Sequence, residues 1–475
     1  MIWETAWKNV WRNPVRSTVV ISSITVGVFA GVFSVAMMEG MVNQRMRSAI
    51  DEEISYIQVS AKGFRTDYDP ALIINNSGKI ESAIKNTPGV TGLCERIVLS
   101  GMANTARKST GVQIVGINPD QEKEVFSLFR KIMPGTGTYF EKETQLNQVL
   151  IGQDLAKDLN IIQYSIDSAK LSELKVNGIP GNITDRLSVL TGKRFGSEKL
   201  FVKKLKSMFS ASEAARYGQL IKDKAWTFRE GSRLTLTFLD KDNNQVGAAV
   251  RVTGLYDIYN NIYEKNVVFV KNDDLRKLSG IPNNSFHQLI VKINSIDNTD
   301  VISSGLKIKL PDLEVLSWKE IQPDLALLSE MTQIYYAIFM LIILAALAFG
   351  IVNTMLMVVL ERTKELGMLT AIGMNKKKVF TMIMLESVFM SVIGGIIGIL
   401  ISMLVISLTA KNGINFSQYS EGFEALGYSA HIYPDIAPFF LEEVVFLIIF
   451  QCIISSIYLS SQALKLYPPE HIINN

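Results

Sequence analysis

Residues 18–38, TVVISSITVGVFAGVFSVAMM, are 21 consecutive residues without a charged side chain. Three further uncharged runs follow, at residues 334–360, 387–408 and 444–464. A helix needs about 20 residues to cross roughly 30 Å of hydrocarbon, so each run is long enough. Helices in the core of a soluble protein are usually shorter and keep one polar face. The runs therefore predict an integral membrane protein with four transmembrane helices.

Positive charges in the short flanks predict how these helices are oriented. Lys and Arg residues cluster before the first run and between the second and third runs. The loop 409–441 contains a single basic residue, Lys411. Because such residues stay in the cytoplasm, we expect both termini to be cytoplasmic and the large domain to be outside. The predicted segments are an interfacial helix (1–17), spans at 18–38, 334–360, 379–408 and 442–464, an outer domain with its stalks (39–333), a cytoplasmic connection (361–378), an outer loop (409–441) and a cytoplasmic tail (465–475).

The residues before the first run have the pattern of a helix that lies in the membrane surface. Trp3, Trp7, Val10 and Trp11 recur at helical spacing, and charged residues occupy another face. The pair Asn13-Pro14 then breaks the helical pattern. We therefore expect a turn here from the membrane surface into the first span. The apolar stretch that follows exceeds the roughly 7 to 15 residues of a signal peptide, which predicts a retained anchor.

Cysteine and histidine are too scattered to form a disulfide framework or a metal centre. Cys94 lies in the outer domain and Cys452 inside the fourth run, so a disulfide would have to join different compartments. His287, His431 and His471 have no neighbours at ligand spacing. We expect each histidine in a loop or at the surface, and we predict no metal site and no cofactor bound by this chain.

The outer domain has the alternation of strand and helix patterns that predicts an α+β fold. Strands are expected at 56–60, 112–117, 148–151, 233–238, 248–255, 266–270, 287–293 and 313–316, and helices at 81–86, 154–159 and 273–278. Residues 161–230 differ, because they contain few strand patterns and carry 13 Lys or Arg against 7 Asp or Glu. This segment is predicted to be a basic helical insertion. Either it is a solvated surface or it docks an acidic partner or anionic lipid headgroups.

The most informative stretch follows the second run: ERTKELGMLTAIGMNKKK, residues 361–378. Met384-Leu-Glu-Ser-Val and Gly394-Gly-Ile-Ile-Gly come after it. This order of motifs resembles the FtsX-like permease domain of MacB-type ABC transporters. The resemblance implies a four-helix transmembrane domain of the type VII ABC permease class with the α+β domain inserted between spans 1 and 2.

Within this family the outer domain most resembles the lipoprotein-releasing (LolC/LolE-type) permeases. The matching stretches are Ile57-Gln-Val-Ser-Ala-Lys-Gly, Val115-Gly-Ile-Asn-Pro and Val149-Leu-Ile-Gly-Gln-Asp-Leu-Ala. The resemblance implies a bacterial inner-membrane protein whose large domain is periplasmic. It also implies mechanotransmission, in which ATP closes cytoplasmic subunits and stalk helices move the periplasmic domains. The cargo would be a lipoprotein lifted from the outer leaflet and passed to a periplasmic acceptor.

Two other functions remain open at this stage. One is MacB-like export of drugs or peptides with an adaptor and an outer-membrane channel, and the other is FtsX-like regulation of a cell-wall hydrolase. An enzymatic outer domain is disfavoured, because the sequence has no nucleophile elbow and no catalytic His/Cys arrangement.

ATP hydrolysis is expected from a separate protein. No phosphate-binding loop of the form G-x-x-x-x-G-K-S/T occurs in the chain. The resemblance implies a cytoplasmic ABC ATPase dimer that binds ATP and Mg²⁺, and a second permease subunit that is identical or paralogous. Membrane lipids are further expected partners, and nucleic acid is not.

Particular residues are assigned to these tasks. By resemblance, residues 361–374 form the coupling helix that contacts the ATPase, through Glu361, Arg362, Glu365, Leu366, Gly367, Met368, Leu369, Ala371 and Gly373. Gly373 is expected to end that helix in a left-handed conformation. A carboxylate in the third span is expensive unless paired, so we expect Glu386 to pair with Arg362 or Lys364.

Two further groups complete the prediction. Gly394, Gly395 and Gly398 share nearly one helical face and are expected to allow close helix packing. Methionines gather where the stalks leave the membrane, and these are either adaptable contacts for acyl chains or simple stalk packing. They are Met37, Met38, Met41 and Met46 on the first stalk and Met331 on the second.

Overall fold

The computed structural model describes residues 2–75, 77–106, 108–140, 147–176, 178–229, 231–258, 260–361, 372–416 and 419–437, with single residues at 368, 440, 442, 444, 446, 447 and 450. The chain divides into two compact units. Residues 1–46, 327–420 and 429–475 form the first, which we call the membrane unit. Residues 47–326 and 421–428 form the second, which we call the outer domain. Each unit has its own hydrophobic core.

Helices dominate the membrane unit, and strands and shorter helices make up the outer domain. The helices are α1 (Ile2–Arg12), α2 (Pro14–Ser48), α3 (Phe64–Asp67), α4 (Ser77–Lys85), α5 (Pro119–Val125), α6 (Gln153–Asp158), α7 (Ser168–Val176), α8 (Gly181–Ser188), α9 (Glu198–Lys206), α10 (Ala211–Ala225), α11 (Asn261–Asn266), α12 (Asn272–Ser279), α13 (Thr299–Lys309), α14 (Trp318–Ile321), α15 (Pro323–Glu361), α16 (Lys376–Asn412) and α17 (Ser420–Ala425). A π-helix, Ala49–Ile54, follows α2, and 3₁₀ turns lie at Leu128–Lys131 and Ile296–Asn298.

The strands are β1 (Ile57–Ala61), β2 (Ile74–Asn75), β3 (Val90–Asn104), β4 (Ser109–Ile117), β5 (Gln148–Gly152), β6 (Ile162–Ser165), β7 (Arg194–Phe195), β8 (Trp226–Phe228), β9 (Arg233–Leu239), β10 (Gln245–Tyr256), β11 (Val267–Lys271), β12 (Ser285–Phe286), β13 (Gln288–Ile293), β14 (Leu313–Ser317), β15 (Ile414–Asn415) and β16 (His431–Ile432). All eight predicted strands of the outer domain are present, as are the three predicted helices. The α+β class is therefore confirmed.

Three helices among the described residues are long and apolar enough to cross a membrane. They are Ser17–Ile54, Pro323–Gly350 and Lys377–Asn412. The break between α1 and α2 falls at Asn13, where the Asn13-Pro14 pair predicted it. The fourth predicted span, 442–464, falls almost entirely outside the described residues, so the count of four helices stays a prediction.

Helices α2 and α16 pack closely within the membrane unit. A Cβ on Gly394 would lie 2.9 Å from the carbonyl oxygen of Ile21, and one on Gly398 would lie 2.9 Å from that of Thr25. Thr25 Oγ1 also donates a hydrogen bond to the Gly394 carbonyl oxygen, at 3.1 Å. Small residues allow such close approach of helix backbones. The packing predicted for Gly394 and Gly398 is confirmed, and Gly395 is buried beside them.

The segment after α16 folds back onto α2. Strands β15 and β16 pair antiparallel. The backbone N–H of Asp435 then donates to the carbonyl oxygen of Ala36 at 3.0 Å, and that of Tyr433 donates to Gln44 Oε1 at 3.2 Å. Gly40 has no side chain at the point where the Tyr433 carbonyl approaches α2. This part of the predicted outer loop is thus attached to the first long helix.

Nine strands of the outer domain form one sheet, in the order β14-β1-β13-β3-β4-β11-β5-β10-β9. Strand β9 also pairs with the far half of β3, and this closes β3, β4, β11, β5, β10 and β9 into a ring. Gly101 lies at the closure, where a Cβ would be 2.5 Å from the Thr237 carbonyl oxygen. Strand β3 is therefore the central strand of the domain, and the sequence did not predict it.

The basic segment 161–230 contains helices α7 to α10, as predicted, together with a small sheet in the order β7-β6-β8. Its apolar side chains join the main core of the outer domain, and the rings of Tyr164 and Phe201 stack 5.1 Å apart. Part of the charge is paired internally, since Arg186 Nη2 lies 2.5 Å from Glu213 Oε1. The segment is thus a folded part of the domain, and docking by its basic surface stays a prediction.

Candidate functional site

The predicted ATPase contact falls largely outside the described residues. Arg362, Lys364, Glu365, Leu366, Gly367, Leu369 and Ala371 are not described, and Glu361 is the last residue of α15. Met368 and Ile372 are 59% and 78% exposed, and the Ile372 N–H donates to the Met368 carbonyl oxygen at 3.0 Å. This bond is one helical turn with an exposed apolar side chain at each end. Gly373 has a φ of +99°, in the left-handed region that the sequence predicted.

Helix α16 begins directly after this turn and supports α1. The side chain of Asn375 caps α16 by accepting a hydrogen bond from the Lys377 N–H, at 3.0 Å. Ala6 of α1 is buried against the first turns of α16. The rings of Trp3 and Trp7 meet Phe389 edge to face, with centroids 4.8 and 5.4 Å apart. The predicted interfacial helix is therefore packed onto the helix that follows the ATPase-contact segment, with its tryptophans still about half exposed.

Glu386 and the stalk methionines have defined positions, but their roles stay predictions. Glu386 is 6% exposed on α16, and its two expected partners lie outside the described residues. Met38 is exposed, whereas Met37, Met41, Met46 and Met331 are half-buried. The segment that includes Tyr433 and Asp435 lies beside the same turns of α2. A contact between these methionines and acyl chains is neither required nor opposed by this geometry.

A cluster that the sequence did not predict lies where the first stalk enters the outer domain. We call it the stalk joint, and its central residues are Glu52, Glu53, Arg96, Glu122 and Gln322. The last carbonyl groups of a helix lack donors within the helix, so other groups must supply them. At the π-helix Ala49–Ile54, Ser127 N donates to Asp51 O at 2.8 Å, and Gln58 Nε2 donates to Ile54 O at 2.8 Å.

Glu53 connects three parts of the outer domain and is 2% exposed. Its carboxylate accepts hydrogen bonds from Asn260 Nδ2 at 2.9 Å and from Gln322 Nε2 at 3.3 Å. Its carbonyl oxygen accepts from Arg96 Nη1 at 3.3 Å and from the Tyr263 hydroxyl at 3.4 Å. Gln322 immediately precedes α15, the second stalk helix. The end of the first stalk and the start of the second are thus bonded to the same carboxylate.

A buried ion pair lies behind Glu53. Arg96 and Glu122 are 4% and 1% exposed, and their side chains form a salt bridge. The guanidinium also lies over the Phe126 ring, 4.0 Å from its centroid. Burial alone would lower the pKa of Arg96, but the Glu122 carboxylate raises it above the usual range, so the arginine stays charged. Buried charges persist when they are paired and hydrogen-bonded in this way.

Glu52 completes the joint on its outer side. Its carboxylate accepts from Ser48 Oγ at 2.7 Å and pairs with Lys131 Nζ at 2.9 Å. The signal for this cluster was present in the sequence as two adjacent glutamates at the end of a long helical pattern. Arg96 was missed because strand β3, which carries it, was not predicted.

His287 corrects one prediction from the sequence. We expected it in a loop or at the surface, but it is fully buried and stacked on Phe64, with ring centroids 4.8 Å apart. Its Nδ1 accepts from the Val98 N–H at 3.0 Å, and its Nε2 lies 3.1 Å from the Pro70 carbonyl oxygen. Burial lowers the pKa of His287 to about 4. His287 precedes the buried apolar strand β13 and is buried with it. The ring stays neutral there, and its hydrogen bonds and stacking stabilise the fold.

Neither the joint nor the rest of the described chain resembles a metal centre. Among the residues whose positions are described, no three His, Cys, Asp or Glu side chains are grouped as metal ligands would be. Burial, followed by the neighbouring Glu122, raises the pKa of the Cys94 thiol well above its usual value. A thiol of this kind remains protonated and unreactive. The stalk joint is a set of hydrogen-bonded and ion-paired groups that connects two helices to the sheet.

Comparison with known proteins identifies the membrane part of the chain. Residues 337–468 match the FtsX-like permease C-terminal family. The macrolide export ATP-binding/permease protein MacB of Pasteurella multocida is 39% identical over 56 residues, which are 12% of this chain and 9% of that protein. An uncharacterized ABC transporter permease of Methanocaldococcus jannaschii is 26% identical over 161 residues, which are 33% of this chain and 40% of that protein. The chain therefore spans less than half the length of either relative.

A solved structure, the periplasmic region of MacB from Actinobacillus actinomycetemcomitans, is similar to 59% of this chain over 95% of its own length. Its sequence identity is 11% and its TM-score is 0.30, a likeness too low to support any argument. The sequence matches support one conclusion: residues 337–468 match the FtsX-like permease C-terminal family, and short stretches of this chain are similar to MacB-type ABC transporter permeases.

Proposed function

We propose that this chain is the membrane subunit of an ABC transporter that passes the motion of a separate cytoplasmic ATPase to its outer domain. The observation that carries the proposal is the carboxylate of Glu53, which is bonded to the domain through Asn260 and to the start of α15 through Gln322. A displacement of either stalk helix then acts on the domain through short bonds. The family match of residues 337–468 supports the same assignment.

The ATPase is proposed to bind at the exposed turn that ends at Gly373. Met368 and Ile372 are large apolar side chains in solvent, as expected for a surface that a partner covers. The proposed arrangement is a pair of permeases, identical or paralogous, with an ATPase dimer that binds ATP and Mg²⁺. Both termini and this turn would then be cytoplasmic, and the outer domain would lie on the opposite side of a bacterial inner membrane.

The ATPase contact is tested by affinity purification of the full chain from native membranes in nanodiscs. We expect a protein with a phosphate-binding loop to be recovered with the unaltered chain and to be lost with Met368→Asp or Ile372→Asp. Ile308→Asp is the matched control, because Ile308 is 82% exposed but belongs to the outer domain. Recovery of the ATPase with all three variants would remove the proposed contact.

Transmission through the joint is tested with Glu53→Gln in the recovered complex. Glutamine keeps the size of the side chain but can no longer accept from both Asn260 and Gln322 as the carboxylate does. We expect ATP hydrolysis to persist while release of cargo falls. Equal losses of hydrolysis and release would indicate a general defect, and unchanged release would show that the joint does not transmit motion.

The cargo is proposed to be a lipoprotein or another lipid-anchored molecule, lifted from the outer leaflet towards a periplasmic acceptor. The short sequence resemblances at residues 57–63, 115–119 and 149–156 support this assignment. The identity to MacB equally favours a second candidate, export of small molecules with an adaptor and an outer-membrane channel. Acylated protein in the purified complex supports the first candidate, and an adaptor with a channel and no acylated protein supports the second.

A further inference from the structure

The folded segment 161–230 contains a cluster of positive charge that its own acids do not neutralise. Three of its glutamates are used inside the segment, in the ion pairs Arg186–Glu213, Lys222–Glu198 and Lys224–Glu173. The stretch 193–206 holds six further cations and a single acid, Glu198. All six are exposed, and no residue that the structure describes forms an ion pair with them. We call these residues the α9 basic surface: Lys193, Arg194, Lys199, Lys203, Lys204 and Lys206.

Helix α9 holds most of these charges on a fixed support. Its apolar residues Phe201 and Leu205 are buried in the main core of the outer domain. Lys199, Lys203 and Lys206 follow one another at spacings of four and three residues, so they share one face of the helix over about 10 Å. Like charges at these spacings destabilise a helix. An anionic partner would remove this repulsion, so the surface is suited to bind one.

The buried face of α9 distinguishes a protein partner from a lipid surface. A helix that binds a membrane inserts a wide apolar face at the boundary of the acyl chains. In α9 that face is already occupied by the domain core. Within 193–206, where every residue is described, Leu200 is the only exposed large apolar side chain, at 58%. A single leucine among lysines suits a protein surface with carboxylates around one apolar side chain, because such a surface complements both the charge and the leucine.

We propose that the α9 basic surface docks an acidic segment of a partner protein, with carboxylates against the lysines and an apolar side chain against Leu200. Exposed charges contribute little to affinity, but they raise the rate of association and disfavour positively charged partners. The surface therefore selects and orients the partner. This docking goes beyond the proposed function and does not depend on it, since binding to α9 requires no ATP hydrolysis.

The test is photo-crosslinking in native cells that produce the full chain with p-benzoylphenylalanine in place of Leu200. We expect capture of a protein whose cross-linked segment, identified by mass spectrometry, has a net negative charge. Ile262 is the matched position, because it is 65% exposed but lies on α11, and the same replacement there should not capture that protein. Capture in permeabilised cells should also fall when salt rises from about 0.1 to 1 M, because the Debye length shortens from about 10 to 3 Å.

Removal of two charges from the cross-linking chain tests the lysines themselves. Lys199→Gln combined with Lys203→Gln neutralises one face of α9 and leaves its buried residues unaltered. We expect capture to fall about fivefold at an unchanged unfolding temperature. Lys79→Gln combined with Lys85→Gln makes the same change in charge on α4, where both lysines are exposed, and should leave capture intact.

Capture that persists without the charges of Lys199 and Lys203 would overturn the proposal, as would a cross-linked segment that has no excess of acidic residues. Cross-links to phospholipid alone would overturn it in favour of a lipid surface. Absence of any cross-link would show that the charges are only solvated. Failure of the proposed transport function would appear separately, as loss of the co-purified ATPase while capture at position 200 persists.

Discussion

Helix α2 with its π-helical end is held in two different ways along its length. In the membrane unit its contact with α16 is made by small residues, and Gly394 and Gly398 bring the backbones together. In the outer domain its last carbonyl groups are bonded by donors from the sheet, and its glutamates are paired or hydrogen-bonded. A helix in lipid forms its backbone hydrogen bonds within itself. A helix that ends inside a protein needs donors from elsewhere for its last carbonyl groups.

The two contacts therefore resist motion to different degrees. A surface of small residues keeps similar packing when one helix shifts slightly against another, because the hydrogen bond that crosses it, from Thr25 to Gly394, joins uncharged groups. The joint has no such freedom, since a shift would separate buried charges from their partners. Under the proposed function, movement of the stalks would be accommodated within the membrane unit and passed on at the joint. The predictions below test this contrast, from the largest expected effect to the smallest.

Arg96→Met is expected to have the largest effect, because it leaves Glu122 buried without its cation. Removal of one partner of a buried ion pair costs about 3 to 5 kcal/mol. The measurement is hydrogen exchange of the β3 amides in the full chain, and Arg216→Met is the matched control at an exposed arginine. Adding Glu122→Leu to Arg96→Met should recover part of the loss. If the single variant costs less than about 1 kcal/mol, the pair is not the rigid element of the joint.

Acid should weaken the outer domain through His287. Its pKa is about 4 in the folded chain, below the ordinary value of 6.5, because burial disfavours the charged ring. Between these values the unfolded chain binds the extra proton, so stability is full above about pH 6.5 and falls as the pH approaches 4. The loss amounts to about 3 kcal/mol at most. Unfolding temperatures measured from pH 7 to pH 4 should fall less steeply in His287→Gln, and an identical slope would contradict the assignment.

The sequence predicts the helices and strands of the membrane unit and the outer domain better than it predicts the stalk joint. Uncharged runs longer than 20 residues and alternating strands such as 233–238 follow from local patterns, and the first three runs and this strand are present as helices and a strand. Strand β3 was missed because Thr91, Glu95 and Arg96 interrupt its apolar pattern. Thr91 is exposed, and Glu95 and Arg96 are tolerated in the sheet because residues distant in the chain, Arg276 and Glu122, pair with them. Pairing of this kind depends on tertiary structure, which local patterns do not report.

Gly398→Val should disturb the membrane contact but less than Arg96→Met disturbs the joint. The new side chain would meet the Thr25 carbonyl oxygen and Val28 Cβ at 2.9 Å, so the helices must separate. Overpacking of this kind costs about 1 to 3 kcal/mol. Gly350→Val is the matched control, because no atom of the described residues lies within 4 Å of a Cβ there. Thermal unfolding in nanodiscs checks the prediction, and equal effects at Gly398 and Gly350 would show that helix α2 is not the neighbour that matters.

Thr25→Val should have the smallest effect, although it removes a hydrogen bond between two helices. Thr25 Oγ1 donates to the Gly394 carbonyl oxygen, which remains within a helical ladder when the hydroxyl is lost. Hydrogen bonds between membrane helices contribute about 0.6 kcal/mol on average, and valine keeps the shape of threonine. Ser23→Ala is the control, because Ser23 Oγ bonds Val19 O within its own helix. The same unfolding assay should show a small loss for Thr25→Val beyond that of the control. A loss as large as that of Arg96→Met would mean that the membrane contact also depends on fixed polar partners, and the contrast between sliding contact and rigid joint would fail.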